Sequence, residues 1–173
     1  MTHTKTSIII AESKELFRKG LVALLKTKSD LEILKEATTG PELLEQLKQT
    51  VPDIVLMEAT LPLMNSKTVL EIIHHHFPDL RVIVLSEQPN AQLQSDLMAR
   101  GANGFLSKDC DIETLYQAIH KVRTEGFFFD STDSKAFLPA VLKEETLSAL
   151  DLKNTKLPAS NVTDPEPFFC PAY

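Results

Sequence analysis

Hydrophobic and polar positions follow two periodicities that alternate along the first 126 residues of the chain. Short aliphatic runs, such as Ser7 to Ala11, have the continuous apolar composition of buried strands. Between them lie longer stretches in which apolar residues recur at helical spacing, as Leu21, Leu24 and Leu25 do after the first run. The pattern predicts five strands, each followed by a helix, with the strands at residues 7–11, 31–37, 54–57, 80–86 and 104–107.

Helix-capping and helix-breaking residues separate these units. Pro41 suits the first turn of the second helix, and Pro78 and Gly101 follow the third and fourth predicted helices. The fifth helix has Asp111 near its start and Gly126 at its end. Because parallel strands need crossover connections, five such units predict an α/β fold in which helices cover both faces of a parallel sheet.

The sequence changes character after Gly126. Residues 127–150 predict an extension with one helix, from about Ser134 to Leu150, with Pro139 near its first turn. Residues 151–173 contain several prolines in a polar stretch, which predicts a flexible tail without regular structure. The predicted organisation is therefore a domain at residues 1–126, an extension at 127–150 and a tail at 151–173.

Charge and composition exclude several classes of function. The formal net charge of -6 disfavours a surface that neutralises nucleic-acid phosphates. The apolar run near the amino terminus is too short for a signal peptide or a membrane span, which predicts a cytoplasmic protein that does not bind membranes. Cys110 and Cys170 are far apart and form no CxxC motif, so both are expected to be free thiols.

Charged and hydroxyl-bearing residues suited to a functional site follow four of the predicted strands. Glu12 and Ser13 follow the first strand, Glu58 the third, Ser86 the fourth and Lys108 the fifth. In doubly wound sheets the carboxyl ends of the strands lie at one edge, where ligands bind. These carboxylates, hydroxyls and the ammonium group are therefore expected to meet there.

Four stretches resemble the receiver domain of two-component response regulators: IIIAESKELFRKGLVALL, PDIVLMEATLPLM, FPDLRVIVLSEQ and ARGANGFLSKD. They match in order and spacing, and they are similar to receivers that precede helix-turn-helix output domains. The resemblance implies the CheY-like, flavodoxin-like doubly wound fold, with a five-stranded parallel sheet in the order 2-1-3-4-5. It also implies a part in two-component signalling or a phosphorelay, as an interaction module and not as an enzyme.

The resemblance assigns a role to each of the polar residues. In the family, an acidic pair after the first strand and an aspartate after the third hold Mg²⁺, and that aspartate accepts a phosphoryl group from a histidine kinase. These positions are Glu12 and Ser13 for the acidic pair and Glu58 for the phosphoacceptor. The hydroxyl and the lysine that contact the phosphoryl oxygens fall on Ser86 and Lys108.

Two of these residues depart from the family's pattern. Ser13 replaces a carboxylate by a neutral hydroxyl, so Mg²⁺ binding is expected to be weak or absent and no resident cofactor is predicted. Glu58 is one methylene longer than aspartate, and a misplacement on that scale costs orders of magnitude in rate. The hypothesis that follows is a pseudo-receiver in which Glu58 reaches toward Ser86 and Lys108 and replaces the phosphorylated residue.

Two alternatives remain open at this point. One is a working phosphoacceptor receiver with altered chemistry, in which Glu58 accepts the phosphoryl group. The other is a small-molecule binder that uses the crevice of the sheet, although no glycine-rich phosphate loop follows any strand.

Two further features have a structural and a functional interpretation. Phe105 falls on the family's aromatic switch position, but it also fits an ordinary core residue of the fifth strand. The run His74 to His76 lies on a predicted helix, where consecutive side chains point about 100° apart and cannot converge on one metal ion.

The resemblance also implies a surface for binding partners. In the family, the fourth helix, fifth strand and fifth helix commonly form the face that binds a partner or a second copy. Here that face is polar, which is compatible with a signalling partner or a homodimer; its residues are Gln92, Asp96, Arg100, Thr114, Gln117, His120 and Lys121.

Overall fold

The computed structural model describes residues 5–128. The predicted helix from Ser134 to Leu150 and the predicted tail at 151–173 lie outside these residues. Strands and helices alternate in the predicted order: β1 Thr6–Ala11, α1 Glu15–Leu25, β2 Leu31–Ala37, α2 Gly40–Gln49, β3 Ile54–Glu58, α3 Ser66–His76, β4 Arg81–Ser86, α4 Ala91–Met98, β5 Gly104–Ser107 and α5 Ile112–Glu125.

The five strands form one parallel sheet in the order β2-β1-β3-β4-β5. This is the predicted doubly wound order, and the fold prediction is confirmed. The order reverses between β1 and β3, so the crevice of such a sheet opens at their carboxyl ends. Glu58 is the last residue of β3 and pairs with Leu85 of β4.

Each face of the sheet carries its own hydrophobic core. Alternate residues of the central strands point to opposite faces, so Ile8 and Leu56 belong to one core while Ile9 and Met57 belong to the other. The first core also contains Leu115 and other α5 residues, together with residues of α1, and the second contains residues of α2, α3 and α4. Burial on both faces explains why the central strands are continuously apolar in sequence.

Side-chain caps fix where four helices begin. Thr39, Asn65, Asn90 and Asp111 each accept a hydrogen bond from a backbone N–H in the first turn of the helix that follows. The predicted start near Asp111 thus has a direct structural cause. Gly126 ends α5 in the left-handed conformation, with φ of 89°, as its position in the sequence indicated.

Gly101 is the glycine that the packing requires most clearly. Its φ is 100°, and a Cβ atom there would lie 2.8 Å from Nδ1 of His74. His74 therefore packs against a glycine in the turn after α4. Among the described residues, no group of three or more His, Cys, Asp or Glu side chains is placed to hold a metal ion.

A bulge interrupts β2. Without it, Leu31, Ile33, Lys35 and Ala37 would all lie on one face of the strand. The pairing with β1 shifts after Ile33, so Leu34 is skipped and the later residues change faces. Leu31 and Ile33 consequently pack on one core, while Leu34 and Ala37 pack on the other.

Across residues 5–128, none of the helices has the length and apolar character needed to cross a lipid bilayer.

Candidate functional site

The carboxyl edge of the sheet brings the predicted site residues together. Backbone hydrogen bonds continue the sheet past the strand ends: Glu12 N–H donates to Ala37 at 2.9 Å, and Lys108 N–H donates to Ser86 at 2.8 Å. The residues that carry the functional side chains are therefore held by the sheet itself. We call Glu12, Ser13, Glu58 and Lys108 the Lys108 cluster.

The ammonium group of Lys108 lies between two buried carboxylates. Its Nζ is 2.8 Å from Oε1 of Glu58 and 2.7 Å from Oε2 of Glu12, and the lysine side chain is only 5% exposed. The contact with Glu58 is a hydrogen bond, whereas Oε2 of Glu12 accepts no well-directed hydrogen bond from the described residues. Lys108 is therefore a single positive charge shared by two carboxylates where the crevice of the sheet opens.

Ser13 contacts the other oxygen of Glu58. The Ser13 hydroxyl donates to Oε2 of Glu58 at 2.6 Å, and the Ser13 backbone N–H donates to the same oxygen at 3.1 Å. Both carboxylate oxygens of Glu58 are thus occupied by donors from the chain. Sequence reasoning treated Ser13 as a lost metal ligand and missed its role as a hydrogen-bond donor.

Ser86 does not take part in this arrangement as hypothesised. Its hydroxyl accepts a hydrogen bond from the backbone N–H of Gln88 at 3.3 Å. Within residues 5–128, the hydrogen bonds to the Glu58 carboxylate come from Ser13 and Lys108. The expectation that Glu58 reaches toward Lys108 matches this geometry, and the expectation that it also reaches toward Ser86 is corrected.

Burial and hydrogen bonding act in opposite directions on the charges of the cluster. Burial alone would raise the pKa of Glu58, but the hydrogen bonds from Lys108 and Ser13 outweigh it and hold that pKa below its ordinary value of 4.5. Burial would likewise lower the pKa of Lys108, but Glu12 and Glu58 hold it above 10.5. Both residues are therefore charged at neutral pH.

Arg18 is a second residue that sequence reasoning missed. It is buried on α1, its Nη1 donates to the backbone carbonyl of Glu12 at 2.8 Å, and its Nε donates to Glu36 at 3.1 Å. The Glu12 carboxylate also accepts a hydrogen bond from the Lys14 backbone N–H at 2.8 Å. A signal was available, because Arg18 precedes Leu21 and Val22 by three and four residues and so lies on the buried stripe of the helix.

Glu87 joins the loop after β4 to the cluster. Its carboxylate pairs with the exposed ammonium group of Lys14 and lies 3.7 Å from that of Lys108. The hydrogen bond from Lys14 lowers the pKa of Glu87. A crevice of about 490 Å³ opens beside these residues and is also lined by Thr60 and Leu93.

Phe105 is a core residue in this structure. Its side chain is 6% exposed and belongs to the core that contains Leu97 and Ala102. The inward position agrees with the core interpretation, and it is also one of the two positions that a switch residue would occupy.

Three residues of the predicted partner face have polar partners within the chain. Asp96 forms an ion pair with Lys67 at 2.7 Å, Arg100 pairs with Glu71, and Nε2 of His120 lies 2.9 Å from a carboxylate oxygen of Asp30. Several polar side chains of this face therefore already have partners within the chain.

A family model described as "Response regulator receiver domain" matches residues 8–120. The chain belongs to this family. The match includes every member of the Lys108 cluster, together with Ser86 and Phe105. The prediction that the chain is a receiver domain of two-component signalling is confirmed.

Individual relatives of this receiver are regulators of the expected kind. It is 28% identical to the transcriptional regulatory protein LnrK of Bacillus subtilis, over 83% of this chain and 66% of LnrK. It is 33% identical to YhcZ, an uncharacterized transcriptional regulatory protein of the same organism, over 62% of this chain and 50% of YhcZ. The receiver chain thus spans about half to two thirds of these relatives.

A solved structure agrees with the receiver fold. A LuxR-family DNA-binding response regulator from Staphylococcus aureus superposes with a TM-score of 0.65 and 26% identity, covering 69% of this chain and 99% of that one. The predicted kinship with receivers that precede helix-turn-helix outputs is confirmed. The prediction that the chain avoids nucleic acid gains no support from a relative described as DNA-binding.

Acid titration tests the charge state of Glu58 in the receiver. Because its pKa in the folded chain lies below the ordinary value, ionised Glu58 stabilises the fold above that value, and the contribution is lost as the pH falls through the folded pKa. We expect the free energy of unfolding to fall more steeply from about pH 5 to about pH 3 in the wild type than in Glu58→Gln. Urea unfolding at each pH measures this, and parallel curves for the two proteins would contradict it.

Proposed function

We propose that this receiver is a phosphorylation-independent interaction module of two-component signalling. The observation that carries the proposal is the occupancy of both Glu58 oxygens, one by Lys108 and one by Ser13. The Glu58 carboxylate presents a fixed negative charge to Lys108, the lysine that falls on the phosphoryl-contact position of the family. The domain is then held in one signalling conformation without a phosphoryl group.

The cluster fits a Mg²⁺ ion poorly. The family's metal position corresponds to Glu12, Ser13 and Glu58, but here Ser13 is a donor to Glu58, and Lys108 lies against both carboxylates. Mg²⁺ requires several oxygens in nearly octahedral geometry at about 2.0–2.1 Å, with lone pairs that are not committed elsewhere. We therefore propose that Mg²⁺ binds weakly or not at all.

Phosphoryl transfer to Glu58 is disfavoured for the same reason. The attacking oxygen would have to give up a hydrogen bond from Lys108 or Ser13 in a site that is largely closed to water. The added methylene also displaces the carboxylate from the position that an aspartate would occupy. A working phosphoacceptor with altered chemistry is thus the outcome that would overturn the proposal.

The partner that we propose is a signalling protein that binds at α4, β5 and α5. Gln92, Gln117 and Lys121 are exposed on this face. The chain's net charge of -6 favours a protein partner over nucleic acid for these 173 residues. Association through such a polar surface relies on charge and hydrogen-bond complementarity.

Chemical phosphorylation and metal titration test the proposal directly. We expect the wild-type chain to show no added phosphoryl group by intact mass after incubation with acetyl phosphate and Mg²⁺. We also expect no saturable amide NMR shifts around Glu58 when Mg²⁺ and beryllofluoride are added. A phosphoryl adduct that disappears in Glu58→Gln, or site-localised shifts that saturate, would contradict phosphorylation independence.

A further inference from the structure

The peptide group between Glu12 and Ser13 is held from both sides. Its carbonyl oxygen accepts a hydrogen bond from Nη1 of Arg18 at 2.8 Å, and its N–H donates to Oε2 of Glu58 at 3.1 Å. A trans peptide group points its carbonyl and its N–H in opposite directions. Arg18 and Glu58 therefore lie on opposite sides of one rigid unit that joins them.

Arg18 is itself fixed by the end of β2. Its side chain is 10% exposed, and its Nε donates to Oε2 of Glu36 at 3.1 Å. The Glu36 carboxylate also lies 2.9 Å from the Lys19 ammonium group, and the Glu36 carbonyl accepts a hydrogen bond from Gln46 of α2 at 2.8 Å. The hydrogen bonds from Lys19 and Arg18 outweigh burial and hold the pKa of Glu36 below 4.5. The guanidinium thus lies between a charged carboxylate and the peptide carbonyl.

We propose that Arg18 is a positioning residue for Glu58 and that it acts through the peptide group of Glu12 and Ser13. The guanidinium fixes the direction of the carbonyl, and the planar peptide group then fixes the direction of the N–H. A cation at the carbonyl also polarises the peptide group, which makes its N–H a stronger donor to a carboxylate. We call Glu36, Arg18, this peptide group and Glu58 the Arg18 relay.

The two contacts of the guanidinium explain why position 18 is an arginine. Nε and Nη1 are separate donors in one planar group, and each has its own acceptor, the Glu36 carboxylate and the Glu12 carbonyl. A lysine has a single nitrogen on a flexible stem, so it does not hold the two acceptors in a fixed relative orientation. Arg18→Lys is therefore expected to behave between the wild type and Arg18→Met.

The Arg18 relay rests on the proposed function, in which donors of the chain hold Glu58. Lys108 and the Ser13 hydroxyl contact Glu58 directly, and the relay sets the third donor, the Ser13 backbone N–H. The two proposals can fail separately. A phosphoryl adduct on Glu58 would overturn the proposed function and leave the contacts of Arg18 in place, whereas the experiments below test those contacts without any phosphoryl donor.

Amide NMR of the full-length chain tests the relay. Arg18→Met is expected to shift the Ser13 amide proton upfield and to speed its hydrogen exchange by about tenfold or more relative to the amides of β3. Lys19→Met is the matched control: its exposed ammonium group contacts the Glu36 carboxylate and leaves the peptide carbonyl to Arg18, so the Ser13 amide should not change. Leu25→Ala is the stability control, because it truncates a fully buried side chain of α1.

A double-mutant cycle tests the connection to Glu58. Glu58→Gln removes the negative charge at the end of the relay. Arg18→Met raises the equilibrium constant of unfolding, measured with urea at neutral pH, and the factor is expected to be at least about twofold smaller in Glu58→Gln than in the wild type. Lys19→Met is expected to change this constant by the same factor in both backgrounds.

Two results would overturn the proposal. One is a folded Arg18→Met chain whose Ser13 amide matches that of Leu25→Ala in chemical shift and in relative exchange rate. The other is an effect of Arg18→Met on unfolding that is equal with glutamate and with glutamine at position 58. Arg18→Lys supports the same comparisons if the methionine variant does not fold, with a smaller expected change in the same direction.

Discussion

Replacing Lys108 with methionine is expected to lower the free energy of unfolding by about 3–5 kcal/mol, the usual cost of removing one partner from a buried ion pair. Methionine retains most of the volume of the side chain, so the loss is mainly electrostatic. Without the ammonium group, the buried carboxylates of Glu12 and Glu58 face each other with no cation between them. One of them must then bind a proton, or the edge of the sheet must open to water.

Urea unfolding at neutral pH measures this loss, and Lys14→Met is the matched control. Lys14 also pairs with a carboxylate of the site region, Glu87, but its side chain is 58% exposed, so the expected change is below about 1 kcal/mol. Adding Glu58→Gln to Lys108→Met should recover part of the loss, because it removes one of the two opposed charges. Equal costs for the two methionine variants would contradict a buried role for Lys108.

Restoring the family's acidic residues is expected to restore the family's reaction. The double substitution Ser13→Asp and Glu58→Asp removes the hydroxyl donor to position 58, shortens the acceptor and supplies a second carboxylate beside Glu12. Lys108 and Ser86 remain at the carboxyl edge of the sheet. We expect Mg²⁺-dependent phosphorylation by acetyl phosphate, from no detectable adduct in the wild type to a readily measured one.

The controls separate the acceptor from the metal site. Ser13→Asp with Glu58→Asn keeps the restored acidic pair but lacks a nucleophile, so it should show no adduct. Glu58→Asp alone keeps Ser13 in the metal position and should react far more slowly than the double variant. A double variant that folds and binds Mg²⁺ but gains no phosphoryl group would show that reactivity was lost beyond these two residues.

Much of the fold follows from features that are local in sequence. Aliphatic runs such as the one at β3 need burial on both faces, and only crossover helices between parallel strands provide it. The bulge at Leu34 was not predictable in this way, because it depends on the register with β1 and not on β2 itself.

The site was predictable in its membership but not in its contacts. Sheet topology alone brings Glu12, Glu58 and Lys108 to one edge. A serine, however, is both a donor and an acceptor, so its sequence position does not tell which oxygen it will contact. The bond from Ser13 to Glu58, and the absence of one from Ser86, depend on side-chain conformations that only the assembled site defines.

The hydrogen bond from Ser13 to Glu58 makes the two residues epistatic. Ser13→Asp alone would exchange a donor 2.6 Å from the carboxylate for a second negative charge. Glu58→Asp alone would draw the carboxylate back from both of its donors. Each single substitution therefore loses an interaction before the other is in place, so a stepwise mutational path to aspartate at both positions is expected to cross a less stable intermediate.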